Sequence, residues 1–350
     1  MINTAVPAAA IPAAVAVFEE RTPSRATRND ALDFTKGSLV LFMVLYHWLN
    51  YFVPLDWDVY RYLRFITTSF IFITGFLVSN VYLAKYSPRD PRLHKRLFER
   101  GAKLLLLFTA LNLAARAILS RGGGAGGVDS FLANSYAIYV TGNGRAMFDV
   151  LVPIGYSLLV APVVLMASAV FPFAPHIAAV AALALAFATN GTPAASINLE
   201  LVAIGLFGMV VGTLPIARVH RLLERPVLLM GAYLLYLWAI WRWNILYPLQ
   251  LVGVTLTLLL LYLAGTRLRC ERLFERCVIN LGKYSLFAYV IHIFILQVAR
   301  QGLRGIRLTG TERLWLFVVT LLLTVAIVEL IIRVRSRSAS VDRAYRLVFA

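Results

Sequence analysis

The residue with the clearest chemical potential is His47, which lies within an apolar segment beside Tyr46 and Trp48. An ionisable side chain at membrane depth is costly and generally marks a functional site. Lys36 precedes His47 by eleven residues, which is within about 20° of three full helical turns and about 16 Å along a helix axis. Both side chains are therefore predicted to share one helix face, with a cation near the membrane edge and a proton-transfer group near the midplane.

This arrangement favours His47 as a general base that removes a proton from a hydroxyl group. Asn50 lies one turn further out on the same predicted face, and Asp33 lies one turn before Lys36, where it can pair with the lysine or cap the helix. Two structural alternatives stay open. His47 could donate to a neighbouring helix carbonyl, and Lys36 could be an interfacial lysine whose stem lies in the bilayer.

Later apolar segments carry four further candidates for a site wall. Thr74 lies in the middle of the second segment, although small and hydroxyl residues also serve close helix packing. Tyr289 and His292 are three residues apart and therefore share a helix face, and His292 is the second candidate base. Asp149 lies at the outer entry of the fourth segment, where a solvated carboxylate is the alternative.

A basic loop follows the second segment, with seven Lys and Arg residues from Lys85 to Lys103. Arg96 and Arg100 lie one turn apart where a helix is predicted to begin. We expect them to bind the phosphates of a cytoplasmic cofactor such as coenzyme A, the alternative being that they only hold the loop inside. No histidine, cysteine or carboxylate spacing typical of a metal site is present, so no metal is predicted.

The composition places the chain among membrane proteins, because 60% of its residues are hydrophobic and only 15% are charged. Its 34 Lys and Arg residues against 17 Asp and Glu give a net charge of +17. These cations occur in short loops between apolar runs, which indicates membrane topology and contact with the lipid surface. A nucleic-acid partner is therefore not expected, and the lipid bilayer is.

The expected fold class is an all-α, polytopic membrane helix bundle with about ten transmembrane helices. Ten apolar segments are long enough, or nearly so, to cross a bilayer. They lie near 37–55, 65–83, 102–119, 149–171, 176–190, 200–217, 227–245, 247–264, 284–300 and 314–333.

The distribution of basic residues predicts the orientation of the chain. With both termini in the cytoplasm, 24 of the 34 Lys and Arg residues lie on the inner side, as the positive-inside rule requires. We expect a flexible cytoplasmic tail over 1–30, a membrane domain over 31–335 and a basic cytoplasmic tail over 336–350. The predicted location is the inner (plasma) membrane.

Three motifs, which follow one another along the chain, resemble those of the acyltransferase-3 superfamily of integral membrane O-acyltransferases. Residues 32–37 with His47 are similar to its first-helix motif, Leu-Asp-x-x-Arg-Gly followed by a histidine, with Lys36 in place of the arginine. Residues 72–77 resemble its Ser-Gly-Phe pattern, and residues 281–292 its Gly-x-x-Ser-Tyr…Tyr-Leu-x-His helix. Residues 149–156 are similar to the branch that succinylates periplasmic glucans.

The resemblance implies a membrane O-acyltransferase that moves an acetyl or succinyl group from cytoplasmic acyl-coenzyme A to a hydroxyl of an extracytoplasmic glycan or other acceptor. Acyl-coenzyme A would be a co-substrate, with no permanently bound cofactor. Lys36 would serve as the cytoplasmic-side cation and His47 as the base. Lysine keeps the charge of the family arginine but loses its bidentate geometry.

Two other classes of protein are compatible with the residues alone. A proton-coupled secondary transporter could use His47 and His292 as relay groups around discontinuous helices, although no two halves of the chain look alike. A non-catalytic membrane partner in polysaccharide export is the second alternative.

Overall fold

A computed structural model describes residues 29–53, 57–119, 128–144, 146–243, 247–267 and 273–349. Within these ranges the chain is helical and contains no β-strand. The predicted all-α bundle is therefore confirmed. The predicted N-terminal tail falls almost wholly on residues 1–28, which lie outside the described residues.

We number the longer helices α1 to α13 in chain order. Short helical turns at Trp57–Tyr60 and Val128–Ala133 are not numbered. The helices are α1 (Asp30–Phe52), α2 (Phe65–Leu77), α3 (Pro91–Leu119), α4 (Leu151–Ser168), α5 (Ala174–Thr189), α6 (Ile197–Gly212), α7 (Ile216–Leu223), α8 (Pro226–Arg242), α9 (Tyr247–Arg267), α10 (Leu273–Lys283), α11 (Ser285–Gly302), α12 (Gly310–Arg337) and α13 (Ala339–Phe349).

Five described helical segments are long and apolar enough to cross a membrane: Arg61–Tyr82, Pro91–Ile118, Leu151–Ser168, Gln250–Arg267 and Gly310–Arg337. A sixth is formed by α10 and α11 if this pair, bent by 95°, counts as one broken span. Three shorter apolar helices, α5, α6 and α8, occupy other predicted segments. The remaining predicted segment, near 37–55, falls on α1, which is not among these candidate spans. The count of ten spans and the orientation remain predictions.

The outer surface of the bundle is rich in large apolar side chains. Val227 and Val170 are 84% and 83% exposed, and Leu106 and Trp315 are also largely exposed. A soluble monomer rarely exposes apolar area on this scale, whereas lipid contact requires it. The exterior is therefore that of a multi-pass membrane protein.

Helix α1 lies at the centre of the bundle, where it contacts α2, α9, α10, α11 and α12. Its buried face includes Leu39, Val40, Met43 and Val44, each at most 1% exposed. Because five helices surround α1, several of its polar residues, such as Asp33, Thr35 and Ser38, are buried inside the protein.

Two glycines allow a very close helix contact between α1 and α10. A Cβ atom added to Gly37 would overlap the carbonyl oxygen of Val278, and one added to Gly282 would overlap that of Asp33. Both positions therefore require glycine for close backbone approach. The glycines of the first and last sequence motifs thus form one interlocked contact that sets where α1 stands relative to α11.

The segment predicted as a basic C-terminal tail contains helix α13, which packs against α12. Val341, Tyr345 and Phe349 recur every four residues and therefore form one face of this helix. Arg335 of α12 donates from Nε to Oδ1 of Asp342 at 2.9 Å, and Arg346 pairs with the same carboxylate.

Candidate functional site

Helix α1 carries both Lys36 and His47. The Asn29 side chain accepts from the backbone N–H of Leu32 and caps the helix, which then continues without a break to Phe52. Lys36 and His47 are therefore about 16 Å apart along one straight element. The Lys36 ammonium lies 2.6 Å from Oδ1 of the buried Asp33. Pairing with Lys36 was one of the two roles predicted for that carboxylate.

The structure brings His47 together with His292 of α11. Their ring centroids are 5.4 Å apart with an interplanar angle of 40°. Around them, Tyr46 and Tyr51 lie 5.2 and 5.9 Å from His47, and Tyr289 lies 5.6 Å from His292. The two candidate bases thus form one aromatic cluster, which we call the histidine pair.

Hydrogen bonding assigns the tautomer of His292. Its Nδ1 is 2.9 Å from the carbonyl oxygen of Ala288, which can only accept, so Nδ1 carries the proton. The ring is fully buried, and Nε2 has no hydrogen-bond partner in the described part of the chain. The same holds for the buried Nδ1 of His47. Unpaired ring nitrogens in a buried cluster are unfavourable for stability alone and are what proton transfer requires.

Tyr289 and Asp149 add polar groups beside the histidine pair. The Tyr289 hydroxyl is buried and has no hydrogen-bond partner among the described residues. The backbone N–H of Val150 donates to Oδ1 of Asp149 at 2.9 Å. Asp149 is exposed, although its carboxylate is close enough to Tyr46 and Tyr289 to act on them electrostatically. Asp149 therefore places a carboxyl group near the aromatic cluster, although it lines neither cavity described below.

A cavity of about 570 Å³ approaches the pair from the Lys36 end of α1, and we call it the Lys36 cavity. Four of the residues predicted from the sequence line this cavity: Lys36, Thr74, Arg100 and Tyr289. Thr74 donates to the carbonyl of Phe70. A π-helical turn over Val78–Tyr82 ends α2 and places Tyr82 on the same wall.

The described lining of the Lys36 cavity contains four cations and no carboxylate. Beside Lys36 and Arg100, these cations are Lys283 and Arg335. Arg335 stacks on the ring of Tyr345, 3.9 Å from its centroid, and Tyr284 and Phe349 complete an aromatic wall. The cavity therefore combines a cationic, aromatic entrance with an apolar interior that ends at Tyr289.

A second cavity, of about 780 Å³, approaches the histidine pair from the other end of α1. Its wall includes Tyr51 and Gln297, whose Nε2 donates to the Tyr51 hydroxyl at 2.9 Å. Four arginines also line it: Arg300, Arg304, Arg307 and Arg313. We call it the Arg304 cavity. Tyr51 contacts His47 and Tyr289 contacts His292, so the pair lies between the two cavities.

Six predicted site residues line neither cavity: Asp33, His47, Asn50, Arg96, Asp149 and His292. Arg96 is exposed and donates to the hydroxyl of Tyr86 at 2.8 Å, whereas Arg100 donates to Tyr82 at 2.6 Å and lines the Lys36 cavity. Asn50 is exposed on α1 and does not line either cavity.

Sequence reasoning missed several wall residues. Lys283 was part of a recognised motif but was not considered as a cation of the site, and Arg335, Tyr345 and Phe349 were assigned to the end of the membrane domain or to a tail. The four-residue spacing of Val341, Tyr345 and Phe349 was the signal that could have found the last two. Nothing in the sequence alone joins α13 to the first helix.

Comparison with known families identifies the family of this chain. The model of the acyltransferase domain Acyl_transf_3 matches residues 29–333, most of the chain. The protein belongs to this acyltransferase family. It is therefore an enzyme, which favours acyl transfer over the transporter and the non-catalytic export partner. A search of curated proteins gives no match. Similarity to the glucan-succinylating branch stays a prediction.

Proposed function

We propose that this membrane acyltransferase moves an acetyl or succinyl group from cytoplasmic acyl-coenzyme A to a hydroxyl of an extracytoplasmic glycan. The observation that carries the proposal is the histidine pair, since two imidazoles with unpaired ring nitrogens lie between two cavities. Such an arrangement lets two substrates meet at one base without sharing an entrance. The inner membrane is the corresponding location.

The Lys36 cavity suits acyl-coenzyme A in charge and shape. Lys36, Arg100, Lys283 and Arg335 supply cations for its phosphates, and Tyr284 and Tyr345 supply rings on which an adenine can stack. The apolar interior matches the pantetheine arm. A thioester at the inner end would lie beside Tyr289, which touches His292.

The acceptor would enter through the Arg304 cavity. Its wall ends at Tyr51, one turn after His47 on α1, and the hydrogen bond from Gln297 orients that phenol. An acceptor hydroxyl held there would approach His47 from the side opposite to the thioester. Because the cavities are separate, the acceptor never needs to cross the membrane.

In the proposed reaction, a neutral ring nitrogen of His47 takes the proton of the acceptor hydroxyl. The hydroxyl oxygen attacks the thioester carbonyl carbon, an ester C–O bond forms and the C–S bond breaks. The proton held by His47 then passes to the departing thiolate and releases coenzyme A as a thiol. His292, fixed by Ala288, is assigned to orienting His47 within the pair.

Release of free coenzyme A thiol tests the proposal. The purified protein is incubated with acetyl- or succinyl-coenzyme A, with and without a glycan extract of the cell envelope. We expect thiol release that requires the extract and is absent in His47→Gln. Thiol release that does not respond to the extract, with no acylated glycan formed, would reject glycan acylation.

A further inference from the structure

The Arg304 cavity carries a charge pattern that acyl transfer to a neutral sugar does not require. Arg300, Arg304, Arg307 and Arg313 all line it, and its described lining contains no carboxylate. None of the four takes part in an ion pair recorded among the described residues. The cavity wall therefore presents several positive charges with no ion-pair partner among the described residues.

The nearest acidic residue in the sequence, Glu312, is committed elsewhere. It closes the capping box at the start of α12, where its carboxylate accepts from the backbone N–H of Thr309 at 2.7 Å. The backbone at the start of α12 is also bonded to α1, because the Trp48 indole donates to the carbonyl oxygen of Arg313 at 3.0 Å. The cationic segment is thus anchored to the helix that carries His47.

Membrane topology makes this charge harder to explain as a structural feature. In the predicted orientation these four arginines lie on the outer side and are four of only ten outer Lys and Arg residues. Excess positive charge in a short outer loop opposes the positive-inside rule. A ligand that needs the charge would account for it.

Tyr51 connects the wall of the Arg304 cavity to the histidine pair. Arg300 lies over the ring of Tyr51, 5.4 Å from its centroid, and Gln297 donates to the hydroxyl of the same tyrosine. Tyr51 in turn lies 5.9 Å from His47. A ligand bound by the arginines would therefore lie next to the predicted base rather than at a remote lipid surface.

We infer that the Arg304 cavity binds an acidic saccharide, an acceptor that carries carboxylate or phosphate groups close to the hydroxyl that is acylated. Guanidinium groups bind both anions through paired hydrogen bonds. The volume of about 780 Å³ lies in the range of small-ligand sites. The inference rests on the proposed function for the identity of the acceptor side, but the binding it predicts requires no acyl donor.

Binding to the full-length protein in nanodiscs of zwitterionic lipid provides the test. The probes are trigalacturonate and mannose 6-phosphate, with maltotriose and mannose as neutral counterparts, measured by calorimetry. We expect at least one acidic probe to bind about ten-fold or more tightly than its neutral counterpart, since hydrogen bonds to charged groups contribute this much.

Variants then locate the binding site. The double substitution Arg304→Ala with Arg307→Ala should weaken the acidic probe about ten-fold or more, while the lysine pair Arg304→Lys with Arg307→Lys keeps most of the affinity. Arg242→Ala is the matched control, an exposed arginine on the same predicted side that does not line the cavity, and it should change nothing.

Three results would overturn the inference: equal binding of acidic and neutral probes, no binding of any probe, or acidic binding that survives the double alanine substitution. Replacement of the lipid by an anionic one is a further arm. If that lipid abolishes binding of the acidic sugar, the cavity is a headgroup site and the inference is wrong. His47→Gln should retain the binding, so loss of acyl transfer and loss of anion recognition are distinguishable.

Discussion

The two cavities beside the histidine pair hold their positive charge in different ways. In the Lys36 cavity three of the four cations have carboxylate partners. These pairs are Lys36–Asp33, Lys283–Asp30 and Arg335–Asp342. In the Arg304 cavity no ion pair of the described residues involves the four arginines. One set of cations is therefore fixed before any ligand arrives, and the other is left for the ligand to neutralise.

This difference indicates what each cavity is built to do. Fixed cations and a stacked aromatic wall reduce the ordering that a large, flexible nucleotide donor must undergo on binding. Uncompensated arginines instead provide charge selectivity and attraction at longer range. Substitutions in the two cavities should therefore alter different kinetic constants.

The largest effect is expected at His47, which lies between the two cavities. General base catalysis is typically worth about 10² to 10⁴-fold, so His47→Ala should lower turnover per folded molecule by that order without changing donor binding. His47→Gln keeps the size of the side chain but cannot accept the proton, and it should be nearly as inactive. His292→Gln should fall less far.

Monodispersity in detergent reports folding in the same samples. A structural histidine would give the opposite pattern, in which His47→Gln is active and His47→Ala loses activity only as folded protein is lost. That outcome would move the base assignment to His292.

The next effect concerns the Lys36 cavity. Lys36→Ala removes a cation expected to contact donor phosphates and should raise the KM for acyl-coenzyme A about ten-fold with kcat little changed. Lys36→Arg should be tolerated or bind more tightly, because arginine can form a bidentate phosphate contact. The control is Lys95→Ala, an exposed lysine paired with Glu99 outside the cavity. An unchanged KM in Lys36→Ala would return Lys36 to an interfacial role.

A smaller effect is expected from the ion pairs of Asp342 with Arg335 and Arg346, which link α13 to α12 beside the Lys36 cavity. We call these ion pairs the clamp. Arg346 and Arg335 hold the pKa of Asp342 below its ordinary value. The clamp should therefore be intact above the ordinary carboxyl pKa of about 4 and weaken as pH falls through the lowered pKa of the folded state. Asp342→Asn should raise the KM for acyl-coenzyme A at most about five-fold at neutral pH.

A spin label at Ser340, with both native cysteines replaced by serine, reads the clamp directly. Its mobility should increase on acidification in the otherwise unchanged protein and should already be high in Asp342→Asn. Glu99→Gln, a carboxylate outside the cavity, should leave the label unaffected. Equal mobility in Asp342→Asn and the parent at pH 7 would show that other contacts hold α13.

The smallest effect separates two neighbouring arginines. Arg96 bonds to Tyr86 outside the cavity, whereas Arg100 bonds to Tyr82 on its wall. Arg96→Ala should therefore change the KM for acyl-coenzyme A less than about two-fold, within the usual range for surface substitutions. Arg100→Ala should raise it several-fold. Equal effects would mean that the donor extends beyond the residues that line the Lys36 cavity.

The helices were predictable because long apolar runs allow little else in a membrane. Lys36 and His47 could be placed on one face because they belong to the same helix. Their partners could not, since His292 and Lys283 lie on other helices, and the contacts of α11 and α10 with α1 depend on tertiary packing. A motif glycine marks close approach but does not name the helix that approaches.

Local chemistry also misled at the C-terminus. The charged sequence after Arg335 is typical of a cytoplasmic tail, and its amphipathic spacing was overlooked. Tyr345 and Phe349 gain a role only when Arg335 and the end of α12 bring them to the cavity. Arg96 shows the reverse case, because helical spacing suggested a pair with Arg100 while the structure separates their partners.

The central claim is that donor and acceptor reach His47 from opposite sides of the membrane. The direct test supplies radiolabelled, impermeant acetyl- or succinyl-coenzyme A to membrane vesicles from cells that produce the protein, in inside-out and right-side-out preparations. The account predicts that glycan in the vesicle lumen becomes labelled only in inside-out vesicles and that His47→Gln vesicles give none. Equal labelling in sealed right-side-out vesicles, or full labelling with His47→Gln, would contradict it.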